Sequence, residues 1–419
     1  MRRADITHLF ADTEGAMSSI VLSRWLNATI IFIPMAVMLT YGVLHGFLFG
    51  VSILFATMVS QRLLKNKVGE KGHVRTAQFI KQETGLSNHL VSMMFKLLSY
   101  SQLFLLALGG GMVLAASLNV SKLVGILLFL ILTIPILVTK FRMHHRHRLK
   151  VGLLFVIMTS LLVYVFVTKS TDELYLGVRL YHPYLLYVNV TELVVFLLAI
   201  FFIFVGMLIL DPVTWYYRFL LKKQEVFRGS YFGMFVWAAL PLAFSAITIT
   251  MIYEGGFEDL TSIFHNLFQY FQNEIIVILF TVAILFVLLD SFDIELRVLS
   301  MYQNRANVRS EQAEWTIKTL PLLVFAFVFP LLGISLLDIF IWMGILYVSL
   351  LCPFIVYVFS KRTYSRMTPV ASSIGALIGW GMMVWGNHIE AVFYALGSSG
   401  IICAFFYLKE KNRREPNLN

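Results

Sequence analysis

Two aspartates and a glutamate close a long apolar run in the middle of the chain. The stretch 284–297 reads ILFVLLDSFDIELR and contains Asp290, Asp293 and Glu295. Asp290 and Asp293 are three residues apart, so a helix places them on one face. Two neighbouring carboxylates can share one proton, because repulsion between their negative charges raises the pKa of one of them. The pair is therefore a candidate proton site, and a solvated helix end is the competing interpretation.

A second candidate site lies in the first apolar run, SSIVLSRWLNATIIFIPMAVMLTYG, which contains Asn27, Thr29 and Pro34. A proline removes one helix hydrogen bond and clashes with the preceding turn, which frees backbone carbonyls. Freed carbonyls beside polar side chains are typical of discontinuous membrane helices that bind a solute. An ordinary proline kink explains the same residues, and these residues alone do not decide between the two.

The composition indicates that these residues are held by membrane helices. The chain has 419 residues, of which 59% are hydrophobic and 13% charged, and its mean hydropathy is +0.80. Soluble domains are roughly half apolar and about a quarter charged. In lipid, long apolar segments must satisfy their own backbone hydrogen bonds, so we expect an all-α polytopic membrane protein rather than a barrel.

Apolar runs long enough to cross the hydrocarbon layer recur along the whole chain. We predict about twelve transmembrane helices at 17–40, 43–63, 89–118, 121–139, 150–168, 188–210, 229–253, 272–296, 315–333, 336–359, 368–386 and 389–408. Residues 1–16 and 409–419 are expected to be tails on the same side of the membrane.

The positive charges support this alternation. With the N-terminus inside, the segments placed outside hold only Lys122, Lys169 and Arg179 of the 33 Lys and Arg residues. Cytoplasmic loops carry such an excess of basic residues. The net charge of +10 therefore reflects topology and lipid contact, and we predict no nucleic-acid partner. We expect an integral protein of the plasma (cytoplasmic) membrane with both termini cytoplasmic.

Other polar and small residues inside the runs have ordinary explanations as well. Glu192, Asp211 and Asp338 lie near predicted helix ends, where a wet interface is the favoured interpretation, although charges inside membranes are often functional. The consecutive glycines 109–111 let neighbouring helices approach closely. A broken, substrate-lining helix is the alternative for this glycine run.

No enzymatic constellation occurs in the sequence. There is no HExxH, no phosphate-binding loop of the Walker type and no nucleophile elbow. We therefore predict that the chain is not an enzyme, that it has no cofactor and that it has no metal site. The remaining candidate functions are secondary transport, a passive pathway for solutes and sensing.

Four stretches together resemble the sodium:solute symporter family. They are RTAQFIKQETG, DPVTWYYRFLLKKQEVFRGSYFG, VLLDSFDIELRVLSMY and LCPFIVYVFSKRTYSRMTPVASSIGALIGW. The family's corresponding motifs are the loop after core helix two, the stretch joining core helices six and seven, core helix eight, and the segment from core helix ten into the next helix. The resemblance covers roughly residues 17–385.

The resemblance implies the leucine-transporter-type fold, with two inverted five-helix repeats plus two further helices. Repeat one would span about 17–168, repeat two about 188–359 and the extra helices about 368–408, all within one transporter-like domain, 17–408. An odd number of helices in each repeat inverts the second copy, which agrees with the topology derived from charge.

The resemblance also implies a solute site between core helices one, three, six and eight. Helices one and six would be broken near the membrane midplane. Asn27, Thr29 and Pro34 would line the first break, and Gly206 would ease an unwound turn in helix six. Ser99 and Gln102 are the candidates from helix three.

One departure from the family concerns its sodium site. The family uses main-chain oxygens of helix one and two hydroxyl side chains of helix eight, and the latter positions here are Leu288 and Leu289. Hard cations need oxygen ligands, which leucine does not supply. We therefore expect a degenerate sodium site, and proton coupling through Asp290 or Asp293 or no coupling at all. A sodium site elsewhere in the protein is the alternative.

These observations predict a secondary transporter of a small organic solute that works by alternating access. The alternative is a non-transporting membrane sensor or accessory protein on the same fold. The sequence points to no particular solute and to no protein partner.

Overall fold

The fold consists of apolar helices that pack against one another. The computed structural model of the chain describes residues 24–67, 89–139, 147–168, 170–211, 223–254, 260–271, 274–301, 328, 332–360, 367–386 and 388–414. All regular structure within these residues is helical. This confirms the prediction of an all-α protein.

The described residues hold thirteen α-helices with defined bounds. They are α1 (Ala28–Tyr41), α2 (Val43–Lys67), α3 (His89–Leu118), α4 (Lys122–Thr139), α5 (His147–Thr168), α6 (Thr171–Tyr181), α7 (Val190–Leu210), α8 (Lys223–Glu254), α9 (Leu260–Phe271), α10 (Glu274–Met301), α11 (Leu336–Ser360), α12 (Met367–Val384) and α13 (Ala391–Arg414). A 3₁₀ turn, Pro183–Leu186, links α6 to α7.

Seven helices of the described part of the chain, α2, α3, α7 and α10 to α13, are long and apolar enough to cross a membrane. Shorter apolar segments lie in α1, α4, α5 and α8. The chain is thus an integral membrane protein of helices. The predicted run 315–333 lies almost entirely outside the described residues, and the full set of twelve spans stays a prediction.

Helix α1 occupies the centre of the packed core. Every residue from Ala28 to Met38 is buried, although the helix has only 14 residues. A helix that is apolar all round must be covered on all sides. Neighbouring helices therefore enclose the segment that contains Asn27, Thr29 and Pro34.

The helices that surround α1 pack in two groups. In the first group, α2 contacts α1, α7 and α8, and α1 also contacts α8. In the second group, α3 contacts α4 and α10, and α4 also contacts α10. Helix α11 packs against α1, α3 and α7, so it lies where the two groups meet.

The glycine run of α3 permits two of these close contacts. A Cβ on Gly109 would lie 2.1 Å from a ring carbon of Phe32 in α1, and one on Gly110 would lie 2.2 Å from the ring of Phe129 in α4. Helix α3 is continuous through this run. The packing interpretation is confirmed, and the broken-helix alternative for these glycines is wrong.

Candidate functional site

The helix that leads into α1 is interrupted two residues before α1 begins. Arg24 and Trp25 are helical, Leu26 and Asn27 are not, and α1 starts at Ala28. Asn27 has extended backbone angles (φ −131°, ψ −175°), and its side-chain oxygen accepts a hydrogen bond from the Thr29 amide at 3.1 Å. Asparagine is a favoured N-cap because its oxygen satisfies a free amide of the first turn. The described backbone is thus non-helical at Leu26 and Asn27, and the predicted break of a membrane helix at the midplane stays a prediction.

Side chains from two other helices satisfy the carbonyls that this break leaves free. The indole Nε1 of Trp237 in α8 donates to the Trp25 carbonyl at 3.0 Å. The Ser291 hydroxyl in α10 donates to the Leu26 carbonyl at 2.7 Å. Buried carbonyls without such partners would cost free energy. The break is therefore built into the packing of α8 and α10 around it.

A polar chain extends from the break to α3 and α11. The Asn27 amide nitrogen donates to the Gln102 side-chain oxygen at 3.4 Å, and the Gln102 nitrogen donates to the Met343 sulfur at 3.0 Å. Asn27, Gln102 and Thr29 are all buried, and the Thr29 hydroxyl oxygen has no hydrogen-bond partner. The structure thus brings three of the predicted solute residues together at the break.

A buried charge cluster forms around Arg24, two residues before the break begins at Leu26. The Arg24 guanidinium donates through Nε to Oδ1 of Asp211 at 3.0 Å, and Nη2 lies 3.0 Å from the same oxygen. Its Nη1 donates to Oε1 of Glu295. Arg24 is 7% exposed, and Asp211 and Glu295 are each 2% exposed. One guanidinium is thus shared between Asp211, the C-cap of α7, and Glu295 of α10.

A small cavity adjoins this charge cluster. Its volume is about 10 Å³, which is room for about one water molecule. The lining residues are Arg24, Phe95, Leu98, Ser99, Leu210, Asp211, Glu295, Val298 and Tyr347. Ser99 is the fourth predicted solute residue, and it lies at this cavity. A polar lining of this kind suits a water molecule or a proton in transit.

The expectation for Gly206 is wrong. Gly206 lies inside α7, which runs without interruption from Val190 to Leu210. A Cβ at this position would lie 3.0 Å from the Cβ of Tyr347 and 3.1 Å from its carbonyl oxygen. The glycine therefore lets α7 and α11 pack closely, and it does not mark an unwound turn. Helix α7 ends at Asp211, and residues 212–222 lie outside the described part of the chain.

The carboxylates of the opening motif are buried inside α10. Asp290 is 2% exposed and Asp293 is 9% exposed, and α10 continues past both to Met301. The solvated-end interpretation is therefore wrong for this pair. The same holds for the wet-interface interpretation of Asp211, whereas Glu192 is exposed and Asp338 is partly exposed.

The two leucines at the family's sodium positions have apolar surroundings. Leu288 is fully buried in the hydrophobic core, and Leu289 packs against the same core. Neither side chain offers an oxygen. Ser291 follows Leu289 by two residues in α10, and its hydroxyl donates to the Leu26 carbonyl. This hydroxyl close to the two leucines therefore bonds the protein backbone.

Sequence reasoning missed the partnership of Arg24, Asp211 and Glu295. Arg24 lies in the first apolar run and Glu295 in the stretch 284–297, and neither was predicted to form an ion pair. The sequence does indicate that such a pair is needed, because an arginine and a glutamate buried inside apolar runs both require partners. Their identity depended on three-dimensional packing.

Several of the motifs that resemble the symporter family lie outside the residues that the structure describes. The motif RTAQFIKQETG and the loop 361–366 lie outside the described residues, as does most of DPVTWYYRFLL. No protein-family model matches the chain, and no curated protein matches its sequence. The likeness to the sodium:solute symporters consequently rests on the motifs themselves.

Proposed function

We propose that the chain is a secondary transporter of a small organic solute that works by alternating access without the symporter family's sodium site. The observation that carries this proposal is the helix break at Leu26–Asn27 inside a fully packed core. Interrupted membrane helices with polar side chains at the break are the common device of solute sites in such transporters. Asn27, Thr29, Ser99 and Gln102 are the proposed solute contacts.

The packing of the helices supports a rocking motion. The group of α1, α2, α7 and α8 and the group of α3, α4 and α10 each pack internally. Alternating access requires one set of helices to move against another around a site between them. We therefore propose twelve spans arranged as two inverted five-helix repeats with two further helices, and we propose that these two groups are the moving parts.

Coupling by protons, or no coupling, is proposed in place of sodium. Leu288 and Leu289 supply no oxygen to an ion, and hard cations need several oxygen ligands. The buried carboxylates of α10, including Asp290 and Asp293, are the groups that could carry a proton. We also propose a plasma-membrane location with both termini in the cytoplasm, based on the distribution of Lys and Arg.

The second candidate function is a non-transporting sensor or accessory protein. The size of the cavity at the charge cluster favours it, because about 10 Å³ is far below the roughly 300–1,000 Å³ of a typical ligand pocket. Under the transporter proposal this arrangement is a closed conformation, and the site must widen when the two groups separate.

Reconstituted uptake separates these candidates. Purified protein in proteoliposomes is tested with sugars, amino acids, carboxylates and vitamins, with and without gradients of Na⁺ and pH. We expect at least one solute to enter without Na⁺. Entry driven by Na⁺ and indifferent to pH would overturn the coupling proposal. Binding without entry would favour the sensor. If no solute binds and none enters, the transporter proposal is refuted.

Two serine substitutions at N-caps provide a matched pair of variants. In Asn27→Ser, the serine keeps a capping oxygen, but its side chain is too short to reach Gln102. Asn189→Ser makes the same change at the start of α7, where Asn189 accepts a capping hydrogen bond of 3.1 Å. We expect the first variant to lower uptake at least tenfold and the second to leave it within twofold. Equal uptake by both variants would contradict a role for Asn27 in the site.

A further inference from the structure

A second cavity, here called the α6 cavity, lies between α2, α6 and α8. Its volume is about 240 Å³, and it is partly open to the surface of the protein. Among the described residues that line it, only Thr171 and Tyr175 of α6 carry a polar side-chain atom. The walls are formed mainly by Val43 and Phe47 of α2, Leu174 and Val178 of α6, and Ala246 and Ile249 of α8.

The lining of the α6 cavity suits an apolar occupant better than water or a polar solute. A water molecule inside a protein needs two to four polar partners, and here two hydroxyls on one wall are available for the whole volume. Apolar cavities of roughly 150 Å³ stay dry and bind molecules such as benzene, and the α6 cavity is larger than that. Empty space also forfeits dispersion contacts for the side chains around it. A hydrocarbon occupant restores those contacts.

The apolar walls of the α6 cavity continue into exposed apolar faces of two membrane helices. Leu242 lies one turn before Ala246 in α8, and Met58 lies three turns after Phe47 in α2, so each pair shares a helix face. Leu242 is 37% exposed and Met58 is 47% exposed. Helix α2 is long enough to span the membrane, and the apolar segment of α8 packs against it. Exposed apolar side chains on such helices contact lipid, so the cavity is continuous with the lipid-facing surface.

The segment that covers the α6 cavity has the character of a membrane interface. Helix α6 has 11 residues, which is too short to cross a hydrocarbon layer of roughly 30 Å. Tyrosine is enriched where membrane helices meet the lipid headgroups. Six large side chains in this segment are at least half exposed, and four of them are tyrosines: Tyr175, Leu176, Leu180, Tyr181, Tyr184 and Tyr187. The cavity therefore lies at a depth that acyl chains reach without leaving the bilayer.

We propose that the α6 cavity binds one acyl chain of a membrane phospholipid, which enters from the lipid-facing surface beside Leu242 and Met58. The hydroxyls of Thr171 and Tyr175 are the groups available to the ester oxygens of that lipid. A bound chain contacts all three walls and holds α6 against α2 and α8. This site shares no residue with the solute site proposed above, so it does not depend on transport.

Photolabelling of the full-length chain in vesicles tests the site. The vesicles are phosphatidylcholine with a small fraction of phosphatidylcholine that carries a diazirine in one acyl chain, and mass spectrometry maps the labelled residues. We expect Val178 and Ala246 to be labelled roughly fivefold more than Ile278 and Val282, because a bound lipid occupies its site longer than a passing one. Ile278 and Val282 are exposed apolar positions of α10. Equal labelling of the two pairs would overturn the proposal.

Filling the cavity distinguishes a bound lipid from general contact with the bilayer. Ala246→Phe should reduce the labelling of Val178 to the level of Ile278, whereas Ala404→Phe, the same change at an exposed position of α13, should leave it within about twofold. Val178→Phe fills the cavity from the opposite wall and guards against a folding defect of the first variant, so the labelling of Ala246 should fall there as well.

Unchanged labelling in both filled variants would contradict a bound lipid. Added phosphatidylcholine should also raise the unfolding temperature of wild type in detergent and leave that of Ala246→Phe unchanged, because a ligand stabilises only the protein that binds it. An equal rise for both would overturn the proposal. If labelling of Val178 falls as the ratio of protein to lipid is raised, a second copy of the chain covers the cavity and the lipid assignment is wrong.

Discussion

Replacing Arg24 by methionine is the most informative perturbation of stability. The change removes the only cation that the described residues place at the cavity and leaves Asp211 and Glu295 facing one another in a buried site. Removing one partner of a buried ion pair costs about 3–5 kcal/mol, because the remaining charge is uncompensated. We expect Arg24→Met to lower the free energy of unfolding by that amount, or roughly 10²- to 10⁴-fold in the folding equilibrium.

Unfolding in mixed detergent micelles, followed by tryptophan fluorescence, measures this free energy. Arg179→Met, at an exposed position of α6, is the control and should change it by less than about 0.5 kcal/mol. The triple variant Arg24→Met, Asp211→Asn, Glu295→Gln should regain at least half of the loss, because the whole ionic group has then been neutralised. If the triple variant is as unstable as Arg24→Met, or if Arg24→Met is as stable as wild type, the reasoning is refuted.

Two further predictions concern packing and the helix break. Gly109→Ala should lower the free energy of unfolding by about 1–3 kcal/mol, because its Cβ would lie 2.1 Å from the Phe32 ring. Gly397→Ala, with nothing within 4 Å of the new Cβ, should be neutral or stabilising by up to about 1 kcal/mol. Ser291→Ala leaves a buried carbonyl unpaired and should cost about 1–3 kcal/mol, whereas Ser398→Ala, whose hydroxyl bonds its own helix, should cost less than about 0.5 kcal/mol. The same unfolding measurement checks both pairs, and equal effects within a pair would contradict the corresponding contact.

The break before α1 was expected from Pro34 and from the family resemblance, whereas α1 is continuous through Pro34 and the local feature at the break is the Asn27 cap. Asn27 caps the first turn of α1 through its own side chain, and capping depends on residues two or three positions apart. The helical membrane class was equally accessible, since it follows from the length and hydropathy of individual runs. Features that arise within about one helical turn were therefore visible in the sequence.

The charge cluster could not be predicted in the same way. Arg24 lies 187 residues from Asp211 and 271 residues from Glu295 along the chain. No periodicity or motif relates positions so far apart, and their pairing depends on how α7 and α10 pack around the break. The sequence showed that each charge needed a buried partner, but it did not show which one.

Gly206 illustrates a different limit. Glycine eases an unwound turn, and it also allows two continuous helices to approach closely. Both uses place a glycine in the middle of an apolar run. Only the backbone of Tyr347 on the facing helix, 3.1 Å from where a Cβ would lie, distinguishes the second use from the first.

The polar contacts around the break reach both helix groups, and those of Arg24 and Trp25 differ from each other. Arg24 bonds Asp211 at the end of α7, and Trp25 bonds Trp237 of α8, so both contacts lie with the first group. The contact from Arg24 to Glu295 instead reaches α10 of the second group. Separating the groups would therefore retain an electrically balanced arginine–aspartate pair on one side. Glu295 would leave with the other side and would lose its contact with Arg24.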